Sequence, residues 1–195
     1  MRRRWAVAAA LAILICMLGL SAAIAKPLSP NYATLKVGGY FPQHSDLDEF
    51  DSGFNGEISL GHLVAPGFAI EGGIGYFETK GPVMTTLGLA DEKIKVMPLT
   101  FSLKGQTFFQ QFEPYVEAGI GVYFIKDELA VPGFISGSEN DSQVGFHLGL
   151  GGNFHVTRQL FVGLEGKYLW VKTDTFGADV RLDGITLTGN IGFRF

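Results

Sequence analysis

The chain has a single cysteine, Cys16, and beyond Lys26 it has no apolar run near the ~20 residues that a membrane-spanning helix needs. No intrachain disulfide can therefore form, and any insertion into a bilayer past residue 26 must use strands. Positive charge is also scarce. Fifteen Lys and Arg face 19 Asp and Glu for a net charge of −4, and −7 once the three arginines at positions 2 to 4 are set aside. That balance excludes the basic footprint of a nucleic-acid-binding protein. What the chain does have is glycine, 27 residues, together with 13% aromatics.

The chain opens with Met1-Arg2-Arg3-Arg4, runs through an apolar segment from Trp5 to Leu20 and reaches small residues from Ser21 to Ala25. This is the three-part anatomy of a secretory signal peptide. The Ala23-x-Ala25 pattern predicts cleavage before Lys26, with cleavage after Ala23 also allowed. The apolar run is short for an uncleaved membrane anchor. Cys16 lies inside this segment behind Ile15, where a lipoprotein signal would want a small residue. The expected organisation is a signal peptide over 1–25 and one domain over 26–195, about 170 residues, the size of a single domain.

Within that domain, apolar and polar residues alternate with a period of two in segments of about ten residues. Phe54, Ile58 and Leu60 oppose Asn55, Glu57 and Ser59; Phe68, Ile70, Ile74 and Tyr76 oppose Glu71, Gly73 and Gly75. Met97 to Leu103 alternate with Pro98 to Lys104, Val116 to Phe124 with Glu117, Gly119 and Gly121, and Val144 to Leu150 with His147, Gly149 and Gly151. Leu160, Val162, Leu164, Tyr168 and Trp170 oppose Gly163, Glu165 and Lys167, and Ile185 to Phe195 oppose Thr186, Thr188, Asn190 and Arg194. The first segment, Tyr32 to Phe41, is weaker, with Leu35 and Val37 opposing Thr34 and Lys36.

Eight strands result. Their connections alternate between short ones, at 64–67, 105–112 and 156–159, and long ones, at 42–53, 79–93, 125–142 and 172–183. Short turns on one side and long loops on the other are the pattern of a transmembrane barrel, and an even strand number puts both ends in the periplasm. The alternative is a water-soluble barrel of the lipocalin kind, which hides bulky apolar residues inside. Here the large apolar side chains share one face, and the other carries Gly, Ser, Thr and single charges. The expected fold is an all-β, eight-stranded antiparallel transmembrane β-barrel in the outer membrane of a Gram-negative bacterium. So narrow a barrel leaves an interior that side chains can fill, which argues against a wide aqueous porin.

The chain ends Leu187-Thr188-Gly189-Asn190-Ile191-Gly192-Phe193-Arg194-Phe195. Its apolar positions at intervals of two and its terminal aromatic resemble the C-terminal signal read by the outer-membrane barrel assembly machinery, with Ile191, Phe193 and Phe195 as the recognised residues. Pro114 to Val122 and Gly145 to Gly149 resemble strands of the OmpW-like and OmpA-like small-barrel families. The resemblance covers the whole mature chain and implies fold and location more than activity. It stops at Phe195, so no peptidoglycan-binding domain of the OmpA type is expected to follow. In OmpW-like barrels an apolar mouth is associated with passage of small hydrophobic compounds, and Val83, Met84, Leu87 and Leu89 are the candidates for such a mouth.

No enzymatic activity is expected. The lipid A deacylases among small barrels suggest a search for His-x-Ser, and His44, His62, His147 and His155 do not form one. No metal or cofactor is expected either. In the acidic first loop, counting a calcium loop from Asp46 puts Phe50 at position 5 and Asp51 at position 6, where an oxygen ligand and a glycine are needed. The charges that alternation turns inward are Lys36, Glu57, Glu71, Lys104, Glu117, Glu165, Lys167 and Arg194, four acids and four bases, which predicts an ion ladder closing the lumen. Two functions stay open: a structural or loop-presenting envelope barrel, and an OmpW-like conduit for a small hydrophobic ligand. Expected partners are outer-membrane lipid, lipopolysaccharide and the assembly machinery.

Overall fold

A computed structural model describes residues 29–43, 50–85, 88–130, 137–175 and 178–195. The signal-peptide reading therefore lies outside the described residues, as do His44, Asp46, Asp48, Glu49 and Leu87. Among the described residues there are ten strands: β1 (Asn31–Pro42), β2 (Gly53–Ala65), β3 (Phe68–Thr85), β4 (Gly88–Gln106), β5 (Phe112–Ala130), β6 (Gly137–His155), β7 (Leu160–Trp170), β8 (Lys172–Thr175), β9 (Ala178–Arg181) and β10 (Gly184–Arg194). Eight of them close a barrel in the order β1-β10-β7-β6-β5-β4-β3-β2, and β8 and β9 form a separate two-stranded sheet. Every neighbouring pair in the barrel is antiparallel. Closure occurs between β1 and β10, in register from Tyr32↔Arg194 to Pro42↔Gly184.

The fold is the expected all-β barrel, with one difference in its long connections. The segments 79–93 and 125–142 read as loops, yet β3 and β4 stay paired as far as Thr85↔Gly88. Likewise β5 and β6 stay paired as far as Leu129↔Gly137, and part of 172–183 is the β8–β9 hairpin. Antiparallel ladders continue as long as each strand finds a partner, whether or not a hydrophobic face accompanies them. The alternation that marks a buried face ends before the hydrogen bonding does. At the opposite end the turns are tight, and Gly67 takes φ 81° between β2 and β3, a conformation that favours glycine.

The outward face is apolar. Leu164 is 73%, Leu150 68% and Val144 65% exposed, values that water would penalise and hydrocarbon would not. The inward face departs from the expectation of a small, polar lining. In the half of the lumen nearer the long hairpins, Tyr40, Phe77, Val96, Tyr123, Ile125, Leu169, Val171 and Leu182 pack into an apolar core, with Phe50 of the first loop against it. Alternation carries these residues inward, and barrel closure leaves them no other place. Besides a register shift between Leu63 and Ala65 near the β2–β3 turn, an interruption marks the wall. The β3–β4 ladder passes from Ile74↔Leu99 to Phe77↔Val96 without pairing at Gly75 and Tyr76, beside Pro98, which has no N–H to donate.

Candidate functional site

The eight inward charges come from seven strands, and their depth is set by register. Lys36 of β1 stands opposite Glu57 of β2, and Lys104 of β4 opposite Glu117 of β5. The Lys36 ammonium lies 3.1 Å from Glu57, 3.0 Å from Glu71 and 2.9 Å from Glu165, so one cation touches three carboxylates from three strands. Lys104 reaches Glu71 at 2.6 Å and Glu117 at 3.5 Å. Lys167 reaches Glu57 and Glu117 at 3.2 Å and Glu165 at 3.4 Å. Tyr32 donates to Glu71 and Tyr115 to Glu165, both at 2.8 Å. The Tyr115 ring also takes the Lys104 ammonium 4.2 Å from its centre. The glycines of the inner face make room for these long side chains: a Cβ on Gly149 would stand 2.9 Å from Glu117 Cγ.

Seven of the eight expected residues are thus brought together in one network, four carboxylates and three ammoniums. The eighth, Arg194, is elsewhere. Its Nη2 donates to Glu113 at 2.6 Å, in a second cluster at the short-turn end of the lumen. Glu113 also accepts from Asn153 at 3.0 Å and from His155 at 2.8 Å. The guanidinium carbon of Arg194 lies within 5.7 Å of the ring centres of Tyr32, Phe108 and Phe161, an arrangement that cation–π attraction favours. Glu113 is not among the charges expected from alternation, because it stands next to the connection at 105–112, ahead of the clear alternation that starts at Val116. Extending the alternation two residues back from Tyr115 would have found it.

Between the charge network and the apolar core lies a cavity of about 20 Å³, lined among others by Lys36, Asn55, Glu57, Thr100, Tyr123 and Lys167. That is room for a water and little more. The Tyr123 hydroxyl is buried with no protein partner, and a water in the cavity would supply one. His147 is also inward, with Nε2 2.8 Å from Ser102 Oγ, and His62 lies outside with Nδ1 2.7 Å from Asn31 Oδ1. Among the described residues no group of three or more His, Cys, Asp or Glu is arranged to hold a metal ion.

The other predicted residues fall on the outer surface or the hairpins. Ile191, Phe193 and Phe195 point outward from the barrel and are 49%, 46% and 55% exposed, and the Phe195 N–H donates to the Asn31 carbonyl at 2.9 Å. Val83 pairs with Ala90 and Met84 with Leu89 in the β3–β4 hairpin; the side chains of Val83, Met84 and Leu89, like the whole of Leu87, lie outside the described residues. Beyond the apolar band, Glu78 receives Lys93 at 2.8 Å and the Tyr76 hydroxyl at 2.5 Å. These contacts, that of Lys93 foremost, hold its carboxyl below the ordinary carboxylate range.

Comparison with known proteins agrees with this architecture. The family model described as outer membrane protein beta-barrel domain matches residues 8–195. The crystal structure of the outer membrane protein OprG from Pseudomonas aeruginosa is similar with a TM-score of 0.69 at 18% identity, covering 86% of this chain and 97% of that one. Neisserial surface protein A is similar with a TM-score of 0.61 at 15% identity, covering 86% and 98%. Ail of Yersinia pestis, in complex with the heparin analogue sucrose octasulfate, has a TM-score of 0.50 at 15% identity, covering 86% and 97%. Among curated protein sequences none matches.

Proposed function

Because the chain belongs to the outer membrane protein beta-barrel domain family, a family of the Gram-negative outer membrane, we propose that it works there as a closed barrel, stabilising the envelope and presenting its long hairpins outside. The observation that carries this reading is the double obstruction of the lumen. The Lys36, Lys104 and Lys167 network spans its middle, and the Tyr40–Phe77–Tyr123 core fills the half above. A cavity of about 20 Å³ between them admits no hydrated ion stream. In a planar bilayer the purified barrel should give no steady single-channel current. A stable conductance in the wild type would overturn the reading.

In this proposal residues 1–25 are removed on export, Ile191, Phe193 and Phe195 are read during assembly, and both mature ends face the periplasm. Sidedness is directly testable. A cysteine at Asn140, exposed near the end of the β5–β6 hairpin, should react with an impermeant thiol reagent on intact cells, and one at Thr157, exposed in the β6–β7 turn, should not. The reverse pattern would invert the topology.

A second reading, a side entrance for small hydrophobic molecules, is favoured by the unpaired stretch of the β3–β4 ladder at Gly75 and Tyr76. There Pro98, Phe77, Tyr123 and Leu169 line the cavity just inside the wall. Pro98→Thr restores a donor at that position. If the barrel passes apolar solutes sideways, uptake into proteoliposomes should fall in this variant; equal uptake would leave the closed structural role alone.

A further inference from the structure

The charge network in the middle of the lumen does not balance. Glu57, Glu71, Glu117 and Glu165 face only Lys36, Lys104 and Lys167, because Arg194 is spent on Glu113. One negative charge is left over where water barely enters, a costly state unless something cancels it. His147 also points inward, but its Nε2 is held by Ser102 Oγ and its buried Nδ1 has no partner. A second N–H on that ring would find no acceptor. A proton on a carboxyl meets a similar objection. Every oxygen of the four carboxylates has an ammonium within 3.5 Å, so an added hydrogen would point at a donor.

The cavity of about 20 Å³ beside this network is lined mainly by oxygen lone pairs. Lys36 and Lys167 border it, yet the three N–H groups of each ammonium are matched by the three carboxylates around it. The hydroxyls of Thr100, Thr186 and Thr188 donate to the Gly73 carbonyl at 3.4 Å, the Lys167 carbonyl at 3.5 Å and Asn190 Oδ1 at 3.2 Å. What they have left for the cavity is acceptor capacity. Asn55 adds an amide oxygen to the lining, and Tyr123, 0% exposed, adds a hydroxyl without a protein partner.

We propose that this cavity binds one monovalent alkali cation, sodium or potassium, coordinated by the Glu57 carboxylate and by the Tyr123 and threonine hydroxyls. Hard cations take oxygen ligands of these kinds, and an ion close to a water in size is what the cavity admits. One positive charge cancels the surplus. A divalent ion would reverse it. Lys36 and Lys167 repel the ion, but four carboxylates stand against three ammoniums in the same small space. Bound there, the ion neutralises the sealed network and fills the gap between it and the apolar core.

The test is urea unfolding of the barrel in lipid vesicles in sodium, potassium or choline chloride at one ionic strength, so that screening is constant. The ratio of folded to unfolded barrel should rise about tenfold for each tenfold rise in alkali ion above its dissociation constant, and should not respond to choline. Glu117→Gln removes the surplus charge without altering the cavity wall, and Thr188→Val removes a ligand without altering charge. Each should flatten the dependence while keeping the heat-modifiable gel mobility of a folded barrel. Equal stability in the three salts, a dependence kept in full by both variants, or a midpoint that follows pH alone, as a bound proton would give, would each overturn the proposal. Should a variant fail to fold, wild-type crystals soaked in a thallous salt decide the matter. One anomalous peak in the cavity supports the site, and its absence removes it.

Discussion

Lys36→Met is expected to cost the folded barrel about 3–5 kcal/mol, the usual penalty for removing one partner of a buried ion pair. Lys36 is 1% exposed and touches Glu57, Glu71 and Glu165, so its loss leaves four carboxylates facing two ammoniums in a space water barely enters. Met keeps most of the side-chain volume, so the effect is electrostatic and not a cavity. Urea titration of the barrel in lipid vesicles, followed by tryptophan fluorescence, measures it. A loss below about 1 kcal/mol would mean that these charges are separately hydrated, as exposed pairs are. Glu71→Ala combined with Lys104→Ala should cost less than the sum of the single changes, because the pair at 2.6 Å is removed together.

The second large effect is expected at the short-turn end. Glu113→Ala strips Arg194 of its carboxylate and also removes the acceptor of Asn153 and His155. A buried guanidinium is then left with aromatic rings for company, at a cost of about 3–5 kcal/mol in the same unfolding measurement. Glu113→Gln combined with Arg194→Met should recover part of that loss by removing both charges while holding the volume. If the double variant unfolds as easily as Glu113→Ala, the cluster acts through packing and not through charge. The position matters because Arg194 lies on the closing strand β10, paired with Tyr32 of β1, while Glu113 comes from β5. This pair therefore ties the seam to the far wall.

Which charges point inward was legible residue by residue, since Lys36, Glu57, Glu71, Lys104, Glu117, Glu165, Lys167 and Arg194 all follow from the period of two. Which of them meet was not. The expected balance of four acids and four bases became seven groups in one network and Arg194 with Glu113 in another. Lys36 and Glu165 are 129 residues apart in sequence, and their contact depends on the stagger between strands around the whole circumference. The apolar core was hidden for a related reason. Tyr40, Phe77, Val96 and Tyr123 follow the same alternation, but each lies beyond or between the polar positions that defined the lumen face in its own strand.

The sequence alone determined the number of barrel strands, the inward and outward faces, the alternation of turns with long connections and the antiparallel class, because each follows from the local alternation of side chains along a pleated chain and from the turns between its segments. Tertiary structure decided the depth of every residue along the barrel: the threefold grip on Lys36, the separation of Arg194 from the other lumen charges and the apolar core above them. Depth is set by shear, the cumulative offset of eight hydrogen-bonded ladders, and that offset exists only once β10 has closed on β1.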